Sequence, residues 1–232
     1  MNMIPPQRPS AASPRGGWRP RGGPSVAMTI LVRVRATLVA CALLAAAPAF
    51  AQEAPDALVK RVSQEVLQII KTDPKVAAGD QARIREVIES KLTPNFDFMR
   101  MTSLAMGRNW SKATPEQQKR LADEFRSLLV RTYSSALSQY RNHTIDYKPL
   151  RADAAATDVT VRTEVIRQGQ PPVQIDYGMT KGADGWKAYD VVVGGVSLVT
   201  NYRDEFNEQI RQGGIDGLIA SLSARNKGGG AK

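Results

Sequence analysis

The spacing of apolar positions along this chain changes once, near Asn142, from a helical period to an alternating one. Between Asp56 and Thr72, Leu58, Val62, Val66, Ile69 and Ile70 recur at helical spacing among charged residues, and Pro74 stops the run. A second helical stretch from Asp80 to Leu92 puts Ile84, Val87, Ile88 and Leu92 on one side and ends before Pro94. "NFDFMRMTSLAMGRNW" follows, dense in Phe and Met, and reads as one or two short helices with little polar face. The longest helix comes next. Thr114 as N-cap, Pro115 at the first position and Gln117 at the third make a capping box. Leu121, Phe125, Leu128, Leu129, Tyr133, Leu137 and Tyr140 then form one stripe that requires a large apolar partner.

Beyond Asn142, Val159, Val161, Thr163 and Val165 alternate with Thr160, Arg162 and Glu164, and Val173, Ile175, Tyr177 and Met179 alternate with Gln174, Asp176 and Thr180. Gly169 with Pro171-Pro172, and Gly182 with Asp184-Gly185, mark the turns. With "HTIDYKPL" before them and "WKAYDVVVGG" after, these segments predict about four strands in an antiparallel meander. Gly194-Gly195 ends the last strand, Ser197 stands where it can cap a helix, and Val199, Tyr202, Phe206 and Ile210 share a helical stripe. Gly213-Gly214 interrupts the chain before Ile215, Leu218, Ile219 and Leu222, and residues 225–232 read as a flexible tail. The expected class is α+β: N-terminal helices, a twisted antiparallel sheet, then C-terminal helices packed over it.

The N-terminus belongs to a different kind of segment. Residues 28–51 carry Arg33 and Arg35, an apolar block from Ala36 to Ala47 and Ala49-Phe50-Ala51, which is the layout of a signal peptide cleaved after Ala51. The block is shorter than the roughly 20 residues of a spanning helix. "LVAC", Leu38 to Cys41, has the look of a lipoprotein box, but only five residues separate Cys41 from Arg35, fewer than such a region needs. Residues 1–27, rich in Pro, Gly and Arg, read as a disordered or untranslated extension, with Met28 as an alternative start. Cleavage would remove the six arginines of residues 1–51 and take the net charge from +10 to +4. A nucleic-acid partner then loses most of its support, while contact with an anionic lipid surface still fits. The only cysteine, Cys41, leaves with the signal, so residues 52–224 must fold as a single domain on a hydrophobic core alone.

Catalytic chemistry requires convergent reactive groups, and the chain offers few. Its one histidine, His143, lies at a helix-to-strand junction. No nucleophile elbow, H-E-x-x-H, phosphate loop or dinucleotide fingerprint occurs. A small enzyme would have to use His143 with an acid such as Asp146; a structural envelope protein with a solid core is a third reading.

"KATPEQQKRLADEFRSLLVRTYSSALSQY", "PPVQIDYGMTK", "GWKAYDVVVGGVSLVTNYRDEF" and "GGIDGLIASL" occur in this order and together resemble the toluene-tolerance (Ttg2-type) family, MlaC, over about Pro55 to Ala224. The resemblance implies a monomeric periplasmic carrier of phospholipid, with no cofactor and with lipid as cargo held in an apolar cavity between sheet and helices. Its implied partners are an outer-membrane lipoprotein–porin complex and an inner-membrane ABC transporter bearing an MCE-type ring, and its implied role is maintenance of outer-membrane lipid asymmetry. Placing the apolar stripes where the family has its cavity nominates Phe98, Met101, Leu104, Leu129, Tyr133, Leu137, Ile175, Tyr177, Met179, Val191, Val193, Val196, Val199 and Tyr202 as lining residues. Arg131, Lys148, Arg162, Lys181 and Arg203 are basic residues within reach of a headgroup or partner, with a solvated face as the simpler role.

Overall fold

In the computed structural model, residues 52–153 and 155–228 are described, apart from the side chains of residues 136–139. The expected signal segment and N-terminal extension lie outside the described residues. Helix α1 (Pro55–Thr72) ends where Asp73 turns extended, and the Asp73 carboxylate accepts from the amides of Lys75 and Val76 to start the single turn α2 (Pro74–Ala77). Pro74 thus ends one helix and opens the next, since it has no N–H to lose in a first turn. Asp80 caps α3 (Gln81–Val87) in the same way.

After α3 the backbone loosens into a π-helical turn, Ile88–Leu92, and a short 3-10 turn, Thr93–Asn95. The cause is local. Ser90 and Thr93 donate their hydroxyls back to the carbonyls of Glu86 and Glu89, Asn95 donates to Lys91, and Pro94 supplies no amide. The chain then crosses to the sheet, where the Asp97 amide donates to the Ala188 carbonyl at 2.8 Å, before α4 (Phe98–Met106) begins.

Helix α5 (Pro115–Leu137) starts in the expected capping box: the Thr114 amide donates to Gln117 Oε1 at 3.0 Å and the Gln117 amide to Thr114 Oγ1 at 3.2 Å. Its stripe turns tighter sooner than the periodicity predicts, because Ser138–Asn142 is a 3-10 turn. The sheet comes next, in order β1 (Thr144–Tyr147), β2 (Asp158–Ile166), β3 (Val173–Gly182), β4 (Gly185–Val193) and β5 (Val196–Ser197), each antiparallel to its neighbour. The alternation in β2 is seen directly: Val159, Val161, Thr163 and Val165 are buried. Beyond the four expected strands there is a fifth. Gly194 and Gly195, both at positive φ, form a two-residue hairpin that turns β4 back into β5. Ser197 lies in that strand and still acts as a cap, its hydroxyl accepting from the amides of Val199 and Thr200.

The last helix, α6 (Arg203–Lys227), is bent at Gly214, whose backbone is left-handed there. It does not end at Arg225. Arg131 on α5 donates to the carbonyls of Arg225 and Asn226, and Asn226 donates back to Glu124, so the final turn is pinned and residues 225–227 are helical. Residues 229–232 lie outside the described residues. Three packed regions hold the domain together: α4, α5 and α6 around Phe125; α1 and α3 around Ile70 and Ile84; and α1 on the sheet through Leu58, Val59 and Val62 against Val159, Val161 and Met179.

Candidate functional site

Between the sheet and the helices the apolar surfaces do not close completely. A cavity of ≈ 200 Å³ is lined by Ile88, Leu92, Thr93, Phe96, Phe98, Met101, Leu129, Val130, Tyr133, Val191 and Leu198. Each wall has a local origin. The π-turn swings Ile88 and Leu92 inward, the crossing to the sheet delivers Phe96, α4 presents Phe98 and Met101, and α5 presents Leu129, Val130 and Tyr133. Val191 and Leu198 face each other across β4 and the residues after β5, with the Leu198 amide donating to the Val191 carbonyl at 2.8 Å.

The wall holds almost no free polar group. Thr93 spends its hydroxyl on the Glu89 carbonyl at 2.7 Å. Burial, with Tyr202 alongside, pushes the Tyr133 phenol above its ordinary pKa, so it stays neutral across physiological pH. A second, smaller hollow of ≈ 60 Å³ lies across a partition made by Leu92 and Phe96, with Tyr177, Met179 and Ser63 among its lining residues. Desolvation there raises the Tyr177 phenol to about 12, although the residue as a whole is partly exposed. Such a space can exclude water and enclose an apolar guest; it has no groups arranged for bond-making.

Of the residues nominated from sequence, Phe98, Met101, Leu129, Tyr133 and Val191 meet around the larger cavity, and Tyr177 and Met179 around the smaller. Val199 and Tyr202 stand instead in the solid core, Val199 fully buried and Tyr202 edge-on to Phe125 at 5.2 Å. Leu104 packs at the margin of that core, and Ile175 is buried within the sheet. Val193 is half-buried, and Val196, which directly follows the Gly194-Gly195 turn, is 56% exposed. The Leu137 side chain lies outside the described residues. Leu92, Phe96 and Leu198 escape the sequence pattern. Phe96 and Leu198 sit in irregular connections where no periodicity marks a face, and the spacing of Leu92 is that of ordinary helix packing.

Three of the five basic candidates have structural work. Arg131 holds the end of α6, Arg203 donates to the Leu104 carbonyl, and Lys148 pairs with Asp146 and Glu164, which pushes its ammonium above the usual lysine pKa. His143 is not assembled with Asp146. Its ring lies beside Tyr140 at 4.9 Å and its Nδ1 is buried without a partner, while Asp146 faces Lys148. Among the described residues no cluster of His, Cys, Asp and Glu could hold a metal ion, and no helix is long and apolar enough to cross a membrane.

A sheet laid against helices around an almost wholly apolar cavity is the arrangement of a binding protein for an apolar ligand. The family model "MlaC protein" matches residues 60–224, and the chain belongs to the MlaC family. It is 23% identical over 189 residues to the "Intermembrane phospholipid transport system binding protein MlaC" of Haemophilus influenzae, covering 80% of this chain and 88% of that one. To the "Toluene tolerance protein ttg2D" of Pseudomonas putida it is 27% identical over 177 residues, covering 75% of this chain and 82% of that one. A solved structure of the phospholipid-binding protein from Ralstonia solanacearum, in complex with a phospholipid, superposes with a TM-score of 0.69 at 44% identity, over 76% of this chain and 97% of its own.

Proposed function

We propose that this protein is a periplasmic carrier that binds phospholipid and shuttles it between an outer-membrane lipoprotein–porin complex and an inner-membrane ABC transporter with an MCE-type ring, maintaining outer-membrane asymmetry. The observation that carries the reading is the composition of the cavity wall: ten of its eleven residues are apolar or aromatic, and the eleventh, Thr93, has its hydroxyl occupied. Burying an acyl chain is favourable by about 0.8 kcal/mol per CH₂, so some fifteen carbons supply roughly 12 kcal/mol before the costs of association. The wall around Phe98, Met101, Leu129, Tyr133 and Val191 provides part of that, with the Tyr133 phenol already beside Tyr202. The charged headgroup stays outside, since a dry cavity cannot hold it unpaired. The carrier performs no bond chemistry, and energy for transport comes from the membrane complex.

A dry cavity of about 150 Å³ accepts a benzene-sized guest, so ≈ 200 Å³ holds part of one acyl chain. Loading whole chains requires the Leu92–Phe96 partition to yield and merge the two hollows. Both residues sit on the irregular segment between α3 and α4, where side-chain bonds already compete with helical ones. Native mass spectrometry of the exported protein, purified from bacteria without detergent, tests the reading. A phospholipid-mass adduct, released and identified by solvent extraction, is expected. Protein that is adduct-free and also refuses lipid from vesicles overturns it. His143→Ala should still hold lipid, whereas an enzyme using His143 should lose turnover with the same substitution.

A further inference from the structure

Met99 aside, the large apolar side chains exposed on the described surface are Ile166 (38%), Val173 (44%) and Val196 (56%). All three lie at one end of the sheet. The register brings them to that end, Val173 and Val196 on one face and Ile166 on the other: Thr144 pairs with Ile166, Val165 with Val173, Ile175 with Val193, and Val193 with Val196. The same end carries a hollow of ≈ 130 Å³ around Tyr140, His143, Arg167, Gln170 and Val173, in which His143 Nδ1 has unused hydrogen-bonding capacity.

The charge here is one-sided. Residues 138–143, 166–173 and 193–197 contain Arg141 and Arg167 and no carboxylate. Neither arginine is ion-paired among the described residues; of the nearest acids along the strands, Asp146 and Glu164 are held by Lys148, and Asp176 accepts from Gln174. The opposite end of the sheet mixes signs, with Asp158, Lys181, Asp184 and Lys187. Isolated aliphatic side chains beside unpaired arginines match a surface that is uniformly anionic and greasy just below. Three such side chains fall well short of the roughly 1,000 Å² that a stable protein interface buries. The patch is also continuous with the cavity. Val191 and Leu198 line it, and Val193 and Val196 are the next pair outward on the same face of β4 and β5.

We propose that this end of the sheet, with Ile166, Val173, Val196, Arg141 and Arg167, docks the protein on an anionic lipid bilayer. The contact is weak and reversible, each arginine contributing about fivefold in partitioning at low salt. It rests on the carrier reading for its purpose, and its observations stand apart from the cavity. Co-flotation with phosphatidylglycerol-rich vesicles against pure phosphatidylcholine vesicles tests it. Expected are binding to the anionic vesicles, weakening with salt, and a loss of at least tenfold in the double variant R141E/R167E and in V173D/V196D. A control pair with the same change in net charge elsewhere, K119E/K181E, should lose much less. Equal flotation with both vesicle types, or equal losses in the control pair, overturns the proposal. So does unchanged flotation of R141E/R167E together with impaired exchange with isolated envelope complexes, which would make the patch a protein-docking surface. Melting temperatures show that the variants fold. Lipid adducts retained by variants that no longer float separate failure of docking from failure of the carrier reading, which an adduct-free parent protein would signal.

Discussion

Residues 198 and 199 are neighbours in the chain and stand in opposite kinds of interior. Leu198 lines a cavity, whereas Val199 is sealed in a cluster where Phe125 meets Tyr202 and Phe206 edge to face at 5.2 Å and those two rings tilt together at 5.7 Å. Both interiors are apolar and both are built against α4 and α5. In the solid one, α6 lies along α5 and rings interlock, as ridges of one helix fill grooves of the other. In the hollow one the opposite wall is a twisted sheet meeting helices at an irregular corner, and its surface cannot match theirs everywhere. Burial thus says which residues leave water, and the shape of the facing element says whether they touch.

Substitutions can break that comparison, beginning with the core. Phe206→Ala should cost about 3–5 kcal/mol, as large-to-small changes in packed cores do, with a steep fall in melting temperature. The neighbouring pair separates the two interiors directly: Val199→Phe should cost about 1–3 kcal/mol by overpacking, while Leu198→Phe should move the melting temperature little and reduce lipid occupancy in native mass spectra. Equal thermal costs for both would mean that the cavity is as rigidly packed as the core. Alkaline stability gives a smaller effect. Tyr177 holds its proton up to about 12, against 10.0 for the free phenol, so folding favours the neutral form. Its contribution is intact below pH 10 and is lost as pH rises from there towards 12, a difference of about 1–2 kcal/mol. Tyr177→Phe should flatten that part of the pH–stability curve. The smallest change concerns Gly178: a Cβ there would meet the Tyr189 ring at 3.2 Å, the ring on which the Arg100 guanidinium stacks at 3.8 Å. Gly178→Ala should cost about 1 kcal/mol and leave lipid binding in place.

The same contrast explains what the sequence made legible. The capping box at Thr114 and Gln117 and the alternation from Val159 to Val165 are local signals, and both elements form as the pattern predicts. The two-residue strand β5 is too short to carry a period, and the π-turn at Ile88–Leu92 keeps its apolar residues at helical spacing, so neither announces itself. Apolarity alone could not sort Tyr133 from Tyr202, because what distinguishes them is an element distant in sequence. Val196 shows the opposite failure: its residue type suggested an interior, and it stands exposed directly after the turn at Gly194-Gly195.

One property of the wall reaches beyond affinity. Because the Thr93 hydroxyl is bonded to the Glu89 carbonyl, the Tyr133 phenol lies beside that of Tyr202, and the other lining residues are apolar, the hold on an acyl chain depends on how much of it is enclosed and hardly on where along its length it sits. The free-energy profile for withdrawal is then a gentle ramp without a step. A receiving chamber of similar greasiness would take up each methylene as this one released it, cancelling the slope as it arises. Cargo held by extent can change hands by sliding, with no bond to break at the moment of transfer.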